Sequence, residues 1–390
     1  MTAGRVLIVG GGPVGLTLAW RLARAGRPVT VLEAEAGIAA QLRASTFHPP
    51  TLDMLEADGV TADLLAAGRV TPTWQVRMHE TGERAEFDLA VLGGDTGHPY
   101  RLQCRQEVLS QALLRRLAEG TVRFGARVVS VGQDAGGVWA ELADGERLTG
   151  GWLVGCDGAR SLVREAIGAD WEGAAYPEST ILATTRFPFE DWLPGLSGVN
   201  YVWTRDGTCS LLRLPEVWRL SLHPRAGETP ERALEDDAIR ARIADLLPEA
   251  PPPEIAEKRV YRVHRRLASR WRRGRIFLAG DAAHLNSPKG GMGLNGGVHD
   301  AFELAAALGA ATGPEDDILD RYERRRRPVT GEEILAQADA NRARMNDTDP
   351  EARQAELARL QRLAADREAA RGFLLRSSMI AGLRRAAEIE

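Results

Sequence analysis

Apolar positions along this chain recur at two periods, and the two occupy different stretches. The run Arg5 to Val9 reads as a buried strand, and Gly10-Gly11-Gly12-Pro13-Val14-Gly15 forms a turn after it. Leu18, Leu22 and Ala25 then follow at helical spacing, Gly26 stops the helix, and Val29 to Leu32 returns as a strand. Arg5 to Glu33 is therefore one strand–helix–strand unit. Leu52 to Leu65 is helical with a break at Gly59, and Glu107 to Leu117 puts Val108, Leu109, Ala112, Leu113 and Leu117 on one helical face. Between them lies a turn-rich region, Val70 to Tyr100, with short strands at Gln75 to His79 and Arg84 to Leu89.

Alternation dominates the middle of the chain. Val122 to Val131, Val138 to Leu142 and Leu148 to Val154 read as a meander, with a turn at Asp144-Gly145. A second antiparallel set runs from about Tyr176 to His223. Centring its hairpin on Asp206-Gly207 pairs Trp203 with Ser210 and Tyr201 with Leu212, and a turn at Pro215-Glu216 sets Arg219 beside Leu212 and Ser221 beside Ser210. One face then carries Tyr201, Trp203, Ser210, Leu212, Arg219 and Ser221, the mixture of aromatic and polar groups expected of a ligand-facing wall. The opposite face, with Val202, Cys209, Leu211, Leu220 and Leu222, reads as core. Pro248 to Glu254 is a linker, Arg275 to Ala279 a strand, Gly296 to Leu308 a helix, and the chain after Pro328 is almost continuously helical. No internal repeat is present.

Composition narrows the class. A chain of 390 residues, 44% hydrophobic and 27% charged, suits two or three globular domains. A formal charge of -4 gives no general reason to bind nucleic acid, and the arginine-dense runs at Arg262–Arg275 and Arg324–Arg327 read as solvated ion-pairing faces. The uncharged stretch Val6 to Trp20 is too short and glycine-rich for a membrane span. Three widely spaced cysteines suggest neither a disulfide framework nor a metal site, so no metal and a cytoplasmic protein are expected.

Two glycine-rich turns carry candidate chemistry. Gly10-x-Gly12-x-x-Gly15 sits between strand and helix, with Glu33 ending the next strand 18 residues after Gly15. That is the context in which such glycines admit a pyrophosphate at a helix N-terminus and an acid takes the ribose hydroxyls. The second turn, Gly280-Asp281 through Pro288-Lys289-Gly290-Gly291-Met292-Gly293-Leu294-Asn295, joins a strand ending in an acid to a helix start. It suits a polyol held by Asp281 and a planar group approached by bare backbone N–H groups, and so points to FAD.

These motifs, with Gly155-Cys156-Asp157-Gly158-Ala159-Arg160 between them, resemble the three signatures of the group A flavin monooxygenases, the aromatic hydroxylases of the para-hydroxybenzoate hydroxylase fold. The resemblance spans roughly residues 5 to 328. It implies an α/β (α+β) protein. A Rossmann-like FAD-binding domain would comprise 1–71, 98–170 and 260–328, an inserted antiparallel substrate-binding sheet 72–97 and 171–259, and a helical segment 329–390. Carried over by position, Gly10, Gly12, Pro13, Val14, Gly15 and Glu33 would hold the ADP half of FAD. Arg43 would lie near the flavin, Arg105 would reach the pyrophosphate or ribityl chain unless it is a plain salt bridge, and Val129 and Asp157 would join the cofactor site. Asp281 would bind ribityl oxygen, and Gly291, Gly293, Leu294 and Asn295 would face the flavin N1/C2 edge. Pro288 and Lys289 would stand at the reactive face as the catalytic positions. Met292 departs from the glutamine frequent there. His284 is read as a structural loop residue, His48 as a packed turn histidine and Cys156 as buried and inert.

The activity so implied is hydroxylation of an electron-rich aromatic or quinone-like small molecule through a flavin hydroperoxide, with NADPH or NADH as transient reductant and dioxygen as co-substrate, in a setting such as secondary metabolism. A monomer or homodimer is expected. The 62 residues after Pro328 look helical, so the thioredoxin-like third domain of some antibiotic-pathway relatives is not expected there, and the segment is expected to cover the FAD domain or form a dimer contact. Two alternatives stand: a reductase or halogenase-like relative, against which no tryptophan–proline halogenase signature is found, and a catalytically silent flavin-binding subunit.

Overall fold

The computed structural model describes residues 4–38 and 43–390. Two sheets organise it. The first has six strands in the order Arg272–Arg273, Ile276–Leu278, Trp152–Gly155, Val6–Val9, Val29–Leu32, Val122–Arg123. All its pairings are parallel except the edge contact of Arg272–Arg273. Val6–Val9 pairs on both sides and is buried along its whole length, which is why it reads as an unbroken apolar run. The Pro13–Arg24 helix follows directly, with Pro13 at its first position and Gly12 at its N-cap.

The second sheet has eight strands: His284–Leu285, Lys258–Ala268, Trp171–Thr185, Trp218–Leu222, Gly207–Arg213, Val199–Thr204, Thr73–Met78 and Arg84–Asp88 in spatial order. It is antiparallel except where Val199–Thr204 meets Thr73–Met78. One face carries Ile181, Val202, Leu211 and Leu220 and packs on the Asp236–Leu246 helix. The other carries Trp74, Val76, Val199, Tyr201, Trp203 and Leu212 and is covered by Met345, Leu357, Leu360, Leu374 and Ile380 from the C-terminal helices. The tail therefore closes the second sheet more than the first, contrary to the sequence reading, because that face is too apolar to stand in water. Its last helix, Ile380–Glu388, reaches back, and Gly382 packs against Val329.

Three local readings also need correction. The two-residue hairpin loop is Arg205-Asp206, so Tyr201 pairs with Ser210 and Trp203 with Thr208. A shift of two residues preserves the faces, since side chains alternate with period two. The predicted Leu212–Arg219 and Ser210–Ser221 pairings are present. The Leu148 to Val154 run is divided at Gly151, Arg147–Gly150 joining a three-stranded sheet and Trp152–Gly155 the six-stranded one. Finally, the helix expected from Gly296 begins at Met292 and runs to Ala310, so glycines at 293, 296 and 297 did not delay it. No helix among the described residues is long and apolar enough to cross a membrane.

Candidate functional site

The glycines at the two turns are explained by contact. A Cβ on Gly15 would lie 2.0 Å from the Gly10 carbonyl oxygen, and one on Gly10 would lie 2.3 Å from that of Cys156. Those two glycines let the Pro13–Arg24 helix sit hard on its own strand and the neighbouring Trp152–Gly155 strand. Gly12 differs: nothing approaches its Cβ position. The helix has no side-chain cap and no acid in its first turn, so its first N–H groups are free to face an anion beside Gly12. Glu33 is adjacent, its carboxylate accepting the N–H groups of Gly11 (2.6 Å) and Glu35 (2.8 Å).

The Met292–Ala310 helix repeats this arrangement. Its N-cap is Gly291 in the left-handed region, φ 67°, again without side-chain cap or first-turn acid. Gly293, Leu294 and Asn295 thus lie in the first turn, where backbone N–H groups lack helical partners. Asn295 is the buried fastener of the turn. It accepts the His48 N–H (2.9 Å) and donates to the Thr46 and Gly291 carbonyls. His48 in turn bonds the Gly290 carbonyl through Nε2 (2.9 Å), and burial together with Arg101 pushes it down to about 3, so it is neutral. It is a packed turn histidine. His284 is also structural: it is buried, stacked on Trp271 and bonded to Asp300 (2.8 Å).

Asp281 is crowded by protein, and that desolvation raises its carboxyl while His284 and Arg43 act against it; yet the side chain remains exposed. A group that is both crowded and solvent-accessible stands in a cleft. Pro288 is exposed beside Lys289, whose ammonium donates to Asn346 (2.6 Å) and which burial pushes down to about 8, with Arg342 adding to the effect and Glu178 opposing it. Arg43 is exposed, and its carbonyl accepts from Arg219 on the eight-stranded sheet (2.9 Å). Asp281, Arg43 and Arg219 thus bring the two sheets together at one cleft.

Other predicted residues are already engaged. Arg105 forms a two-pronged pair with Glu257 (2.6 and 3.1 Å) and a contact with Glu107 (2.9 Å), the salt-bridge alternative of the sequence reading. Asp157, raised by burial, accepts the Ser161 hydroxyl (2.6 Å) and the Val163 N–H (3.2 Å), so it braces its own loop. Val129 is exposed on the Val128–Asp134 strand, shortly after Ala126, whose N–H donates to the Glu33 carbonyl. Trp203 is 1% exposed beneath the C-terminal segment, with the Arg353 guanidinium 5.7 Å from its ring centre. Tyr201 and Leu212 are buried in the same apolar cluster as Trp203, while Ser210 and Arg219 on that face are half-buried. Beside them a cavity of about 510 Å³, lined by Arg105, Thr184, Arg186, Leu214 and Glu257, has the size of a small-molecule site. Thr184 pairs in register with Arg219.

The residues present fit FAD. The uncapped helix starts at Gly12 and Gly291 and the cleft carboxyl of Asp281 are chemically suited to a pyrophosphate, a flavin edge and a polyol. Among the described residues, no group of histidine, cysteine and carboxylate side chains could hold a metal ion.

Comparison with known proteins agrees. The FAD binding domain family model matches residues 4–337. The chain is 37% identical over 397 residues to para-nitrophenol 4-monooxygenase of Pseudomonas sp. (strain WBC-3), covering 97% of this chain and 96% of that protein. It is 37% identical over 336 residues to 6-hydroxy-3-succinoylpyridine 3-monooxygenase HspB of Pseudomonas putida (strain DSM 28022 / S16), covering 83% and 84%. Among solved structures, p-nitrophenol 4-monooxygenase PnpA from Pseudomonas putida DLL-E4 superposes with a TM-score of 0.88 at 33% identity, covering 97% of both chains. Aklavinone-11 hydroxylase in ternary complex with FAD and aklavinone gives 0.76 at 31% identity, over 89% of this chain and 70% of that one.

Proposed function

Because the chain belongs to the group A flavin monooxygenases and is an FAD-dependent aromatic monooxygenase, we propose that it hydroxylates a phenolic ring at the expense of NADH or NADPH and dioxygen. Bound FAD would supply the redox chemistry: two electrons from the nicotinamide reduce it, and dioxygen is divided between the ring and water. The single observation that carries the reading is the juxtaposition of two uncapped helix starts, at Gly12 and Gly291, on helices that pack against each other through Gly297 and Val14. Gly12, Pro13, Val14 and Gly15 would hold the pyrophosphate, with Glu33 taking the ribose. Gly293, Leu294 and Asn295 would present their amides to the flavin edge, where anionic charge develops on reduction, and Asp281 would take the ribityl chain. Pro288 and Lys289 would border the reacting face, with Arg43 nearby. The residue blocks 1–71, 98–170 and 260–328 would form the cofactor domain, and 72–97 with 171–259 the substrate domain.

The protein's remaining task would be to exclude water from the site while leaving the flavin room. The cavity beside Arg105 and Thr184 supplies room next to the cleft, and the adjoining 286–291 loop includes two glycines at positive φ, Gly290 and Gly291. The names of the relatives make phenols such as para-nitrophenol the first compounds to try. The test is stimulated NADH or NADPH oxidation by the purified yellow protein over a phenol panel, run under ¹⁸O₂. One labelled oxygen in the product supports the reading. Label arriving from water, or reduction of the substrate without oxygen uptake, refutes it in favour of a reductase.

A further inference from the structure

The Ala336–Asn346 helix of the C-terminal segment turns one stripe inward: Ala338, Asn341 and Met345. Ala338 packs with Met292, Ile334 and Met379, and Met345 with the eight-stranded sheet. Asn341 between them is polar, yet only 8% exposed. Burying an amide among apolar neighbours is costly unless its atoms find partners. Its oxygen accepts from Arg344 (2.8 Å) and Gln337 (3.2 Å). Its nitrogen is turned to the glycine-rich loop, where it makes a long contact with the Lys289 carbonyl (3.5 Å). A Cβ on Gly290 would lie 2.9 Å from that nitrogen, and Gly290 already stands at φ 108°. Residue 290 is thus confined to glycine twice, by its own backbone and by the helix resting on it. At the end of the same helix, Asn346 accepts from the Lys289 ammonium (2.6 Å) and donates to Glu178 (3.3 Å).

A neighbouring face of the helix is fixed to the sheet. The Trp171–Thr185 strand bulges between its Ala175–His264 and Ser179–Arg262 pairs, so that Tyr176, Pro177 and Glu178 oppose Val263 alone. Both polar residues of the bulge reach the helix. Tyr176 donates to Asp339, which also accepts from Arg265 (2.7 Å), and Glu178 takes Arg342 in a two-pronged pair. The Arg342 guanidinium carbon lies 3.8 Å from the centre of the Tyr176 ring, and the Met345 carbonyl accepts from Thr208 (2.6 Å). The helix is therefore a strut, with the bulged sheet on one side and residues 289 and 290 on the other. A helix that merely covered the sheet would need neither asparagine.

We propose that Asn341 and Asn346 are positioning residues of the reacting site. Acting through Gly290 and Lys289, they hold the Pro288–Gly290 segment in a fixed place relative to the sheet, and so keep water from the flavin beside it. The inference rests on the placement of Pro288 and Lys289 at the reacting face proposed above, but it concerns the unreduced protein and needs no turnover. Neither asparagine need touch the flavin or the aromatic compound.

The test is acrylamide quenching of flavin fluorescence in the FAD-loaded protein, acrylamide being a neutral probe that a changed charge at residue 289 neither attracts nor repels. Asn341→Ala and Asn346→Ala should each raise the quenching constant about threefold or more, while the melting temperature stays within about 4 °C. Asn346→Gln keeps the amide and should restore most of the protection. Lys289→Ala and Asn346→Ala remove the same bond, so the double variant should be quenched no more than the worse single one. Should Asn341→Ala fail to fold, hydrogen exchange on the unaltered protein decides: the amides of residues 289–291 should be protected and should open together with the Ala336–Asn346 helix. Unchanged quenching in both alanine variants, a fully additive double variant, or amides at 289–291 that exchange at once while the helix stays protected would overturn the strut. A flavin shielded as predicted in a protein that hydroxylates no aromatic compound would sink the functional reading alone.

Discussion

Gly297 and Val14 meet so closely that a Cβ on Gly297 would lie 2.5 Å from the valine Cγ2, and the bare Cα of Gly280 is 3.2 Å from the same point. Two helices that begin nearly 280 residues apart are thereby held with their N-terminal turns together. Gly297→Val should force them apart, costing about 1–3 kcal/mol of stability through overpacking. FAD content should fall with it. Thermal melting with and without added FAD checks this; an unchanged melting temperature and full yellow colour would show the packing to be dispensable.

Among the described residues Asp281 forms no ion pair, and only the longer-range pull of His284 and Arg43 opposes the burial that raises it. Asp281→Ala is expected to weaken FAD by roughly ten- to hundredfold, the range for a lost hydrogen bond to a charged group. Lys289→Ala should keep the yellow colour and alter turnover. Flavin released on gel filtration measures the first effect and steady-state kinetics the second. Equal FAD retention by both variants contradicts the role given to the aspartate.

Asp300 is buried between Arg326 (2.8 Å) and His284 (2.8 Å) and accepts the Gly280 N–H (3.1 Å) at the start of the glycine-rich loop. Burial alone would raise its carboxyl, but Arg326 and His284 outweigh it and hold it down at about 2 against an ordinary 3.8. A depressed acid stabilises the fold above its unfolded value and loses that contribution as pH falls through the folded one. The contribution should be complete above about pH 5 and fade toward pH 2. Asp300→Asn should cost about 3–5 kcal/mol at neutral pH, because it strands Arg326. Denaturant unfolding at pH 7 and pH 3 checks both, and the variant should show the flatter acid dependence.

The tail is predicted to be integral. Leu357 is fully buried against the second sheet together with Trp203 and Leu212. Leu357→Ala should destabilise by about 2–5 kcal/mol, whereas a change at the neighbouring exposed Gln354 should stay within about 0.5 kcal/mol. Urea midpoints of the two variants decide between a structural tail and an appendage.

Much of the cofactor half was legible because local rules and tertiary contacts agree there. Arg5 to Val9 reads as a strand, and Val6–Val9 is a buried parallel one; the turn read at Gly10 to Gly15 is there, with Gly10 and Gly15 pressed against neighbouring backbone. Other features were set by contacts distant in sequence. Glu257 captures Arg105 across 152 residues, and no spacing announces it. The destination of the tail depends on the apolarity of a sheet face read as a ligand wall: Tyr201, Trp203 and Leu212 are instead buried against Met345, Leu357 and Leu374, contacts more than a hundred residues away in the chain. The Met292–Ala310 helix starts earlier than Gly296 despite glycines that favour helix poorly, because the Asn295 side chain fastens the first turn to Thr46 and Gly291.

The central claim is that one extended FAD spans both helix starts. A crystal structure of the protein loaded with FAD tests it most directly. The account predicts the pyrophosphate within hydrogen-bond distance of the amides of residues 12–15 and the isoalloxazine N1/C2 edge on those of residues 293–295. A flavin whose ring lies away from the second helix start, with the adenosine end alone in the cleft, would contradict it.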